Sequence, residues 1–351
     1  MKPSKTAGTI YRKVARKVLA ESLGIKKGDA VTVETWSNSL ALATAFSLEA
    51  KRMGAVPIML YEDEDTYVLG IRVAPKEVIG AMGKHEYSLL SSTDAYVFMP
   101  GPPIASYSKT VTRQEYIDST RYNDSWYKAA EKAKLRGARL TTGYIGTDMA
   151  EVLGKTVDET VGVQLKAALV DFGVVDRLAK GLAAKMKDAA KGSLKGPGTD
   201  LAFEFKGELE VQDGRTDAED VASGNNVCYV PPGFVYKEFD RGSVNGRVAL
   251  SPTLTRFGML RDATVEVKEG AMVNWRSGGS PEVLRALEAV IPEKSRVLYG
   301  MTVGVNPEMR FGYGQDRFPA GSIGLSGPFA GIVRGANLKA AGASLVRGGA
   351  L

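Results

Sequence analysis

Two short runs in the second half of the chain carry the side chains best suited to acid–base or anion chemistry. One contains Tyr236, Lys237, Glu238, Asp240 and Arg241; the other contains Arg310, Tyr313, Gln315, Asp316 and Arg317. A guanidinium fork matches a carboxylate or phosphate bidentately. A lysine or tyrosine serves as an acid or base once burial shifts its pKa. Lys237, Tyr313, Asp316 and Arg317 are therefore the candidate catalytic residues of a metal-free site with a small anionic ligand. The spacing matches no established catalytic pattern, and the plainer reading is salt-bridged loop residues around a β-rich domain.

Imidazole and thiol chemistry is almost excluded by count. The 351 residues include one histidine, His85, and one cysteine, Cys228. Zinc fingers, Cys/His metal clusters and disulfide frameworks all require more, and any Ser-His or Cys-His pair must use His85. His85 stands in the polar run Gly83-Lys84-His85-Glu86 and is expected at the surface. Cys228, between Val227 and Tyr229, is expected to be a small buried hydrophobe. Gly312, Gly314, Gly321, Gly324, Gly327 and Gly331 lack the spacing and context of a phosphate loop, so turns and close β packing are expected there. Tyr107, Tyr116, Tyr122, Trp126 and Tyr127 surround Arg113 and Arg121 and read as a domain or oligomer contact rather than a base-stacking surface.

The formal charge of +6 arises from 46 basic and 40 acidic residues. Its basic runs, such as Arg12, Lys13, Arg16 and Lys17, fall at helical spacing and read as solvated faces. Nucleic acid is accordingly not an expected partner. No apolar run approaches the ~20 residues of a membrane span, and the basic start lacks the apolar core of a signal peptide. No membrane partner is expected, and a cytoplasmic location is.

The elements that must position these residues divide the chain. Residues 8–22, 37–53, 123–137 and 161–190 have helical patterning, the last with Gly173 and Gly181 as interruptions. Residues 30–35, 55–61, 94–99 and 139–144 read as strands. This alternation predicts a parallel sheet covered by helices. The glycine- and proline-rich run 191–200 marks a boundary. Beyond it come short apolar segments at 201–205, 226–230, 247–250, 263–267 and 271–275, with one helix at 281–290. The expectation is an α/β domain over residues 1–192 and a β-rich (α+β) domain over 193–351.

The second domain carries a specific pattern. Gly196-Pro197-Gly198-Thr199-Asp200-Leu201 opens it. Pro231-Pro232-Gly233-Phe234-Val235-Tyr236 and Val265–Trp275 follow, and Gly300-Met301-Thr302-Val303-Gly304-Val305-Asn306-Pro307 comes last. Order and spacing resemble the catalytic half of the thermophilic metallo-aminopeptidase (aminopeptidase T, or leucyl aminopeptidase-like) family, specifically over Gly196–Gly327. That family's pattern reads G-P-G-T-D-L, P-x-G-E-V-F, E-G-x-V and G-E-x-x-x-G-x-N-P. The resemblance implies a two-domain frame, a homo-oligomer, and a site of two metal ions held by Glu, Glu, His, His and Asp. Such a cage lowers the pKa of bound water and polarises a peptide carbonyl.

Carried over one at a time, the first Glu falls on Phe234, the second on Met301 and the first His on Ile323. Residues 328–333, where a His-x-Asp pair belongs, contain only Pro, Phe, Ala, Gly, Ile and Val. Apolar side chains cannot hold a hard or borderline cation, and they are expected to fill the former metal cavity. The resemblance thus implies a divergent pseudoenzyme, metal-free and without cofactor. It has lost dinuclear-metal peptidase activity and serves as a binding, scaffold or self-assembling protein. Related pyridine-ring dioxygenases on this frame need His ligands for iron and are disfavoured by the same count. The alternative is an enzyme on the same frame, with residual hydrolase activity or the rebuilt site around Lys237, Tyr313, Asp316 and Arg317.

Overall fold

The computed structural model describes residues 5–103, 111–255, 257–309, 319–328, 331–333 and 335–351. Of the sequence candidates, Tyr107, Arg310, Tyr313, Gln315, Asp316 and Arg317 lie outside the described residues. The chain forms two compact units, residues 1–169 with 214–231 and residues 170–213 with 232–351. The single cut expected after residue 192 is therefore replaced by three crossings.

In chain order the first unit contains α1 (Lys5–Lys17), β1 (Ala30–Thr35), α2 (Leu40–Arg52), β2 (Val56–Tyr61), α3 (Glu64–Val73), α4 (Lys84–Ser91), β3 (Ala95–Phe98), α5 (Arg113–Ala133), β4 (Arg136–Leu140), α6 (Thr147–Val152) and α7 (Val157–Ala167). The second unit begins with α8 (Phe172–Lys187), β5 (Lys191–Gly196) and β6 (Thr199–Gln212). The chain then returns to the first unit through α9 (Ala218–Ser223) and β7 (Val227–Val230). Local chemistry starts these helices where they start. Thr112 with Glu115, and Thr156 with Glu159, form reciprocal capping boxes at α5 and α7. Asp63 accepts the Thr66 N–H at 2.8 Å to open α3.

The first unit is a five-stranded parallel sheet in the order β2-β1-β3-β4-β7. Val31, Val33, Val97, Ala138, Cys228 and Val230 fill one face with Val14, Val18, Phe46 and Leu165 from the helices. Tyr96 and Val227 pack on the other face with Leu90, Trp126 and Ala130. Both faces of a parallel sheet need such cover.

The second unit continues with β8 (Phe234–Phe239), β9 (Asn245–Leu250), β10 (Thr253–Thr255), β11 (Gly258–Leu260), β12 (Ala263–Lys268), β13 (Ala271–Ser277), α10 (Pro281–Val290), β14 (Gly300–Gly304), β15 (Ile323–Ser326), β16 (Gly331–Val333), β17 (Asn337–Ala340) and β18 (Ala343–Val346). Its large sheet has the path β13-β12-β9-β6-β8-β14-β15-β16, with β5, β17 and β18 branching from β6. The register slips between Phe205 and Leu209, where Gly207 takes a positive φ of 97°. This bulge bends β6, so its first half pairs with β5 and β9 and its second half with β8.

The fold class expected from sequence is the one observed, a parallel α/β domain with a β-rich domain. Three local expectations are corrected. Residues 191–200 form a hairpin of β5 and β6 rather than a boundary, because the Pro197-Gly198 turn joins two paired strands. Residues 226–230, assigned to the β-rich half, supply β7 to the first sheet. The strand expected at 139–144 spans Arg136–Leu140 and gives way to a 3₁₀ turn at Thr141–Tyr144. No helix among the described residues is long and apolar enough to cross a membrane.

Candidate functional site

The strands expected to hold the family site lie side by side as β8, β14 and β15. Antiparallel partners directly opposite one another share a sheet face. Val235, Val303 and Ile323 line up across the three strands, as do Lys237, Met301 and Leu325. Phe234 lies opposite Gly304, one residue out of that alternation, so it occupies the other face. The structure therefore brings Met301 and Ile323 together and separates Phe234 from them. Met301 and Ile323 are fully buried in the hydrophobic core, so the expectation of three residues filling one cavity is corrected.

The physical reason is the period of a strand, in which a shift of one residue exchanges faces. In the family pattern the second Glu stands six residues before the Asn of N-P. Counted back from Asn306, that position is Gly300, which shares the face of Phe234. The same face carries Gln212 and Glu210 on β6, Tyr236 on β8, Thr302 on β14, and Gly324 and Ser326 on β15. Gln212 Nε2 donates to Glu210 Oε1 at 2.5 Å.

The recognisable motifs persist here as structural clamps. Asn306 Nδ2 donates to the Pro232 carbonyl at 2.7 Å, and its Oδ1 accepts the Glu308 N–H at 2.9 Å. The Val305 N–H reaches the Gly233 carbonyl at 2.9 Å. Gly233 has φ 115°, and a Cβ there would stand 2.9 Å from the Asn306 backbone nitrogen. Only glycine tolerates both the conformation and the contact.

Lys237, the described member of the rebuilt-site candidates, is on the core face. Its ammonium donates to the carbonyls of Met186, Lys187 (2.8 Å) and Ala189 (3.3 Å), and lies 5.1 Å from the Phe205 ring centroid. A cation at a helix C-terminus meets the negative end of the dipole and satisfies carbonyls left without intrahelical partners. Burial lowers the Lys237 pKa, partly offset by Asp188. All three donor positions are directed at the end of α8, so the expected acid–base role is replaced by capping.

Sequence reasoning missed a polar cluster in the first unit. In the order β2-β1-β3, the chain crosses from one side of β1 to the other, which makes the carboxyl ends of β1 and β3 a topological switch point. Leu60, Glu34, Phe98, Arg139 and Tyr229 stand in one row across the sheet. Tyr96 OH donates to Glu34 Oε2 at 2.5 Å, and Tyr122 OH donates to Glu86 Oε1 at 2.6 Å. Burial pushes the Glu34 pKa up to about 7; the Tyr96 hydrogen bond and Arg139 oppose this, while the charges of Glu62 and Glu86 reinforce it. Glu62 is also raised, by burial and by Glu86. The Arg139 guanidinium lies 5.5, 5.4 and 5.6 Å from the ring centroids of Phe98, Tyr144 and Tyr229. A carboxyl held near neutrality by burial can hold or release a proton near neutral pH. Glu34 is the next-to-last residue of β1, and an acid on a covered parallel strand was the available signal.

The remaining single residues fall as follows. His85 is exposed in the first turn of α4, and Cys228 is buried in β7 with its N–H on Thr216 Oγ1 at 3.1 Å. Trp126 is buried edge-on against Tyr96 at 5.2 Å. The aromatics read as a contact surface thus include a member of the first unit's own core. Among the described residues no group of three His, Cys, Asp or Glu side chains has the arrangement of a metal site.

No family model and no curated protein matches the chain. Solved structures do resemble it. Wild-type AmpT from Thermus thermophilus matches at 18% identity and TM-score 0.61, covering 84% of this chain and 78% of that one. A 2,5-dihydroxypyridine dioxygenase from Pseudomonas putida matches at 12% identity and TM-score 0.64, covering 99% of this chain and 98% of that one. The fold is thus of the aminopeptidase T type, a frame that the dioxygenase has as well.

Proposed function

We propose that this chain is a metal-free relative on the aminopeptidase T frame that has given up dinuclear-metal hydrolysis and serves as a binding, scaffold or self-assembling protein. One observation carries the reading. Whichever register is used, the positions that correspond to the family's metal ligands hold no carboxylate or imidazole. On the core face they are Met301 and Ile323; on the opposite face, Phe234 and Gly300. None of these supplies a lone pair fit for a zinc-like cation. The rebuilt-site alternative loses support because the Lys237 ammonium is taken up by the end of α8.

The test combines elemental analysis of purified protein with hydrolysis of a leucyl substrate in added cobalt or zinc. The expected result is no stoichiometric divalent metal and no metal-dependent turnover. One or two ions per chain together with hydrolysis would overturn the reading.

A further inference from the structure

The outer edge of the parallel sheet is open. Among the described residues no strand pairs with the far side of β2. Natural sheets guard such edges with charge, bulges or cover, because the row of unpaired backbone groups templates association. Here the strand Val56-Pro57-Ile58-Met59-Leu60-Tyr61 carries no charged residue. Val56, Ile58, Met59 and Tyr61 are 63%, 51%, 39% and 49% exposed. Leu48 on α2, the helix beside β2, is also exposed.

The flanking charges are segregated. Lys51 and Arg52 precede the strand, and Glu62-Asp63-Glu64-Asp65 follows it. A strand that is basic at one end and acidic at the other is complementary to itself when turned end for end. We infer that β2 pairs antiparallel with β2 of a second copy of this chain, joining the two parallel sheets edge to edge about a two-fold axis. This rests on the self-assembly reading above and assigns it a surface.

The backbone selects the register. The Val56 N–H bonds the Asp29 carbonyl at 2.8 Å, and the Glu62 N–H bonds the Thr35 carbonyl at 2.9 Å. Even-numbered residues of β2 therefore aim their backbone groups at β1, and Pro57, Met59 and Tyr61 aim theirs outward. Centring the axis on Met59 pairs the Met59 N–H and carbonyl with those of the second Met59. It also sets each Tyr61 N–H on the Pro57 carbonyl of the other copy. The proline, which has no N–H to give, then forfeits a single bond on each side. In this register the acidic run of each copy approaches the Lys51–Arg52 end of the other. The arrangement is isologous and closes at two subunits.

The test uses the full-length chain. Met59→Cys places like residues in a hydrogen-bonded pair with Cα atoms about 5.5 Å apart, within disulfide reach. Ile58→Cys faces Leu60 of the other copy, so its own like residues stand about 8 Å apart, beyond that reach. Mild oxidation should cross-link Met59→Cys into a dimer and leave Ile58→Cys uncross-linked. Sedimentation of Ile58→Lys should show a folded monomer where the unmodified chain is a dimer. If the unmodified chain is a dimer, Ile58→Lys remains one and Met59→Cys does not cross-link, the β2 surface is overturned while self-assembly stands. A wild-type monomer at every concentration would overturn both.

Discussion

The two units give their buried ionisable groups different partners, although burial disfavours the charged form in both. In the β-rich unit, burial lowers the Lys237 pKa, yet its ammonium is held by three carbonyls at and just past the end of α8 and by an aromatic face. In the parallel α/β unit, Glu34 accepts from Tyr96 and faces Arg139, but it shares its surroundings with Glu62 and Glu86. The first arrangement spends a charge on holding a helix end. The second keeps a proton poised near neutrality. Among the described residues, the carboxyl held near neutrality sits in the unit whose sequence match is diffuse, not in the one that resembles a catalytic half.

The largest expected effect comes from restoring a carboxylate at the position first assigned to the second Glu. Met301→Glu puts an unpaired acid on the fully buried face, and calorimetry should show a loss of about 4 kcal/mol or more, or no folded protein. A variant as stable as the parent would mean that this face is wet, and would break the comparison. Lys237→Met comes next. It leaves the carbonyls at the end of α8 without their donor, and chemical denaturation should register a loss of about 2 kcal/mol. Because burial lowers the Lys237 pKa, the folded state releases that proton first. The parent should therefore gain stability as pH rises toward the ordinary lysine range, and the variant should not.

An effect of comparable size but of the opposite sign, a gain, is expected at Glu34. Its folded pKa is raised, so the folded state binds a proton more tightly than the unfolded chain. Parent stability should fall as pH rises from about 4.5 to about 7. Glu34→Gln keeps an acceptor for Tyr96 and removes that titration. Denaturation midpoints at pH 5 and pH 8 should converge in the variant, with a gain of about 1–3 kcal/mol at pH 8. Unchanged pH dependence would show that Glu34 is not held near neutrality and would erase the contrast between the units.

Particular residues show how far sequence reading reached. The strand at Ala30–Thr35 and the helix at Pro281–Val290 match because periodicity and, for the helix, a proline in its first turn specify them locally. Pro232-Gly233 and Asn306 were legible as motif residues because their roles, a glycine-only backbone and the hydrogen bonds that clamp it, are local to the motif residues themselves. The position of the second Glu was legible but misplaced at Met301: Gly304, Asn306 and Pro307 together put it on Gly300, and that slip of one residue moves it to the other face of β14. Lys237 offered no sign of capping, because its carbonyl partners stand 48 to 51 residues earlier.

By itself, then, the sequence determined the α/β-plus-β architecture, the scarcity of imidazole and thiol, and the presence of an aminopeptidase T-like frame. The first two follow from periodicity and count; the third rests on the resemblance of the motifs between Gly196 and Pro307 to that family's. Tertiary structure alone decided that residues 227–230 belong to the parallel sheet, that Phe234 and Met301 face opposite ways, and that Glu34 meets two other carboxylates. Each depends on strand register or on contacts between segments distant in sequence, and a one-residue slip in register reverses which side chains meet.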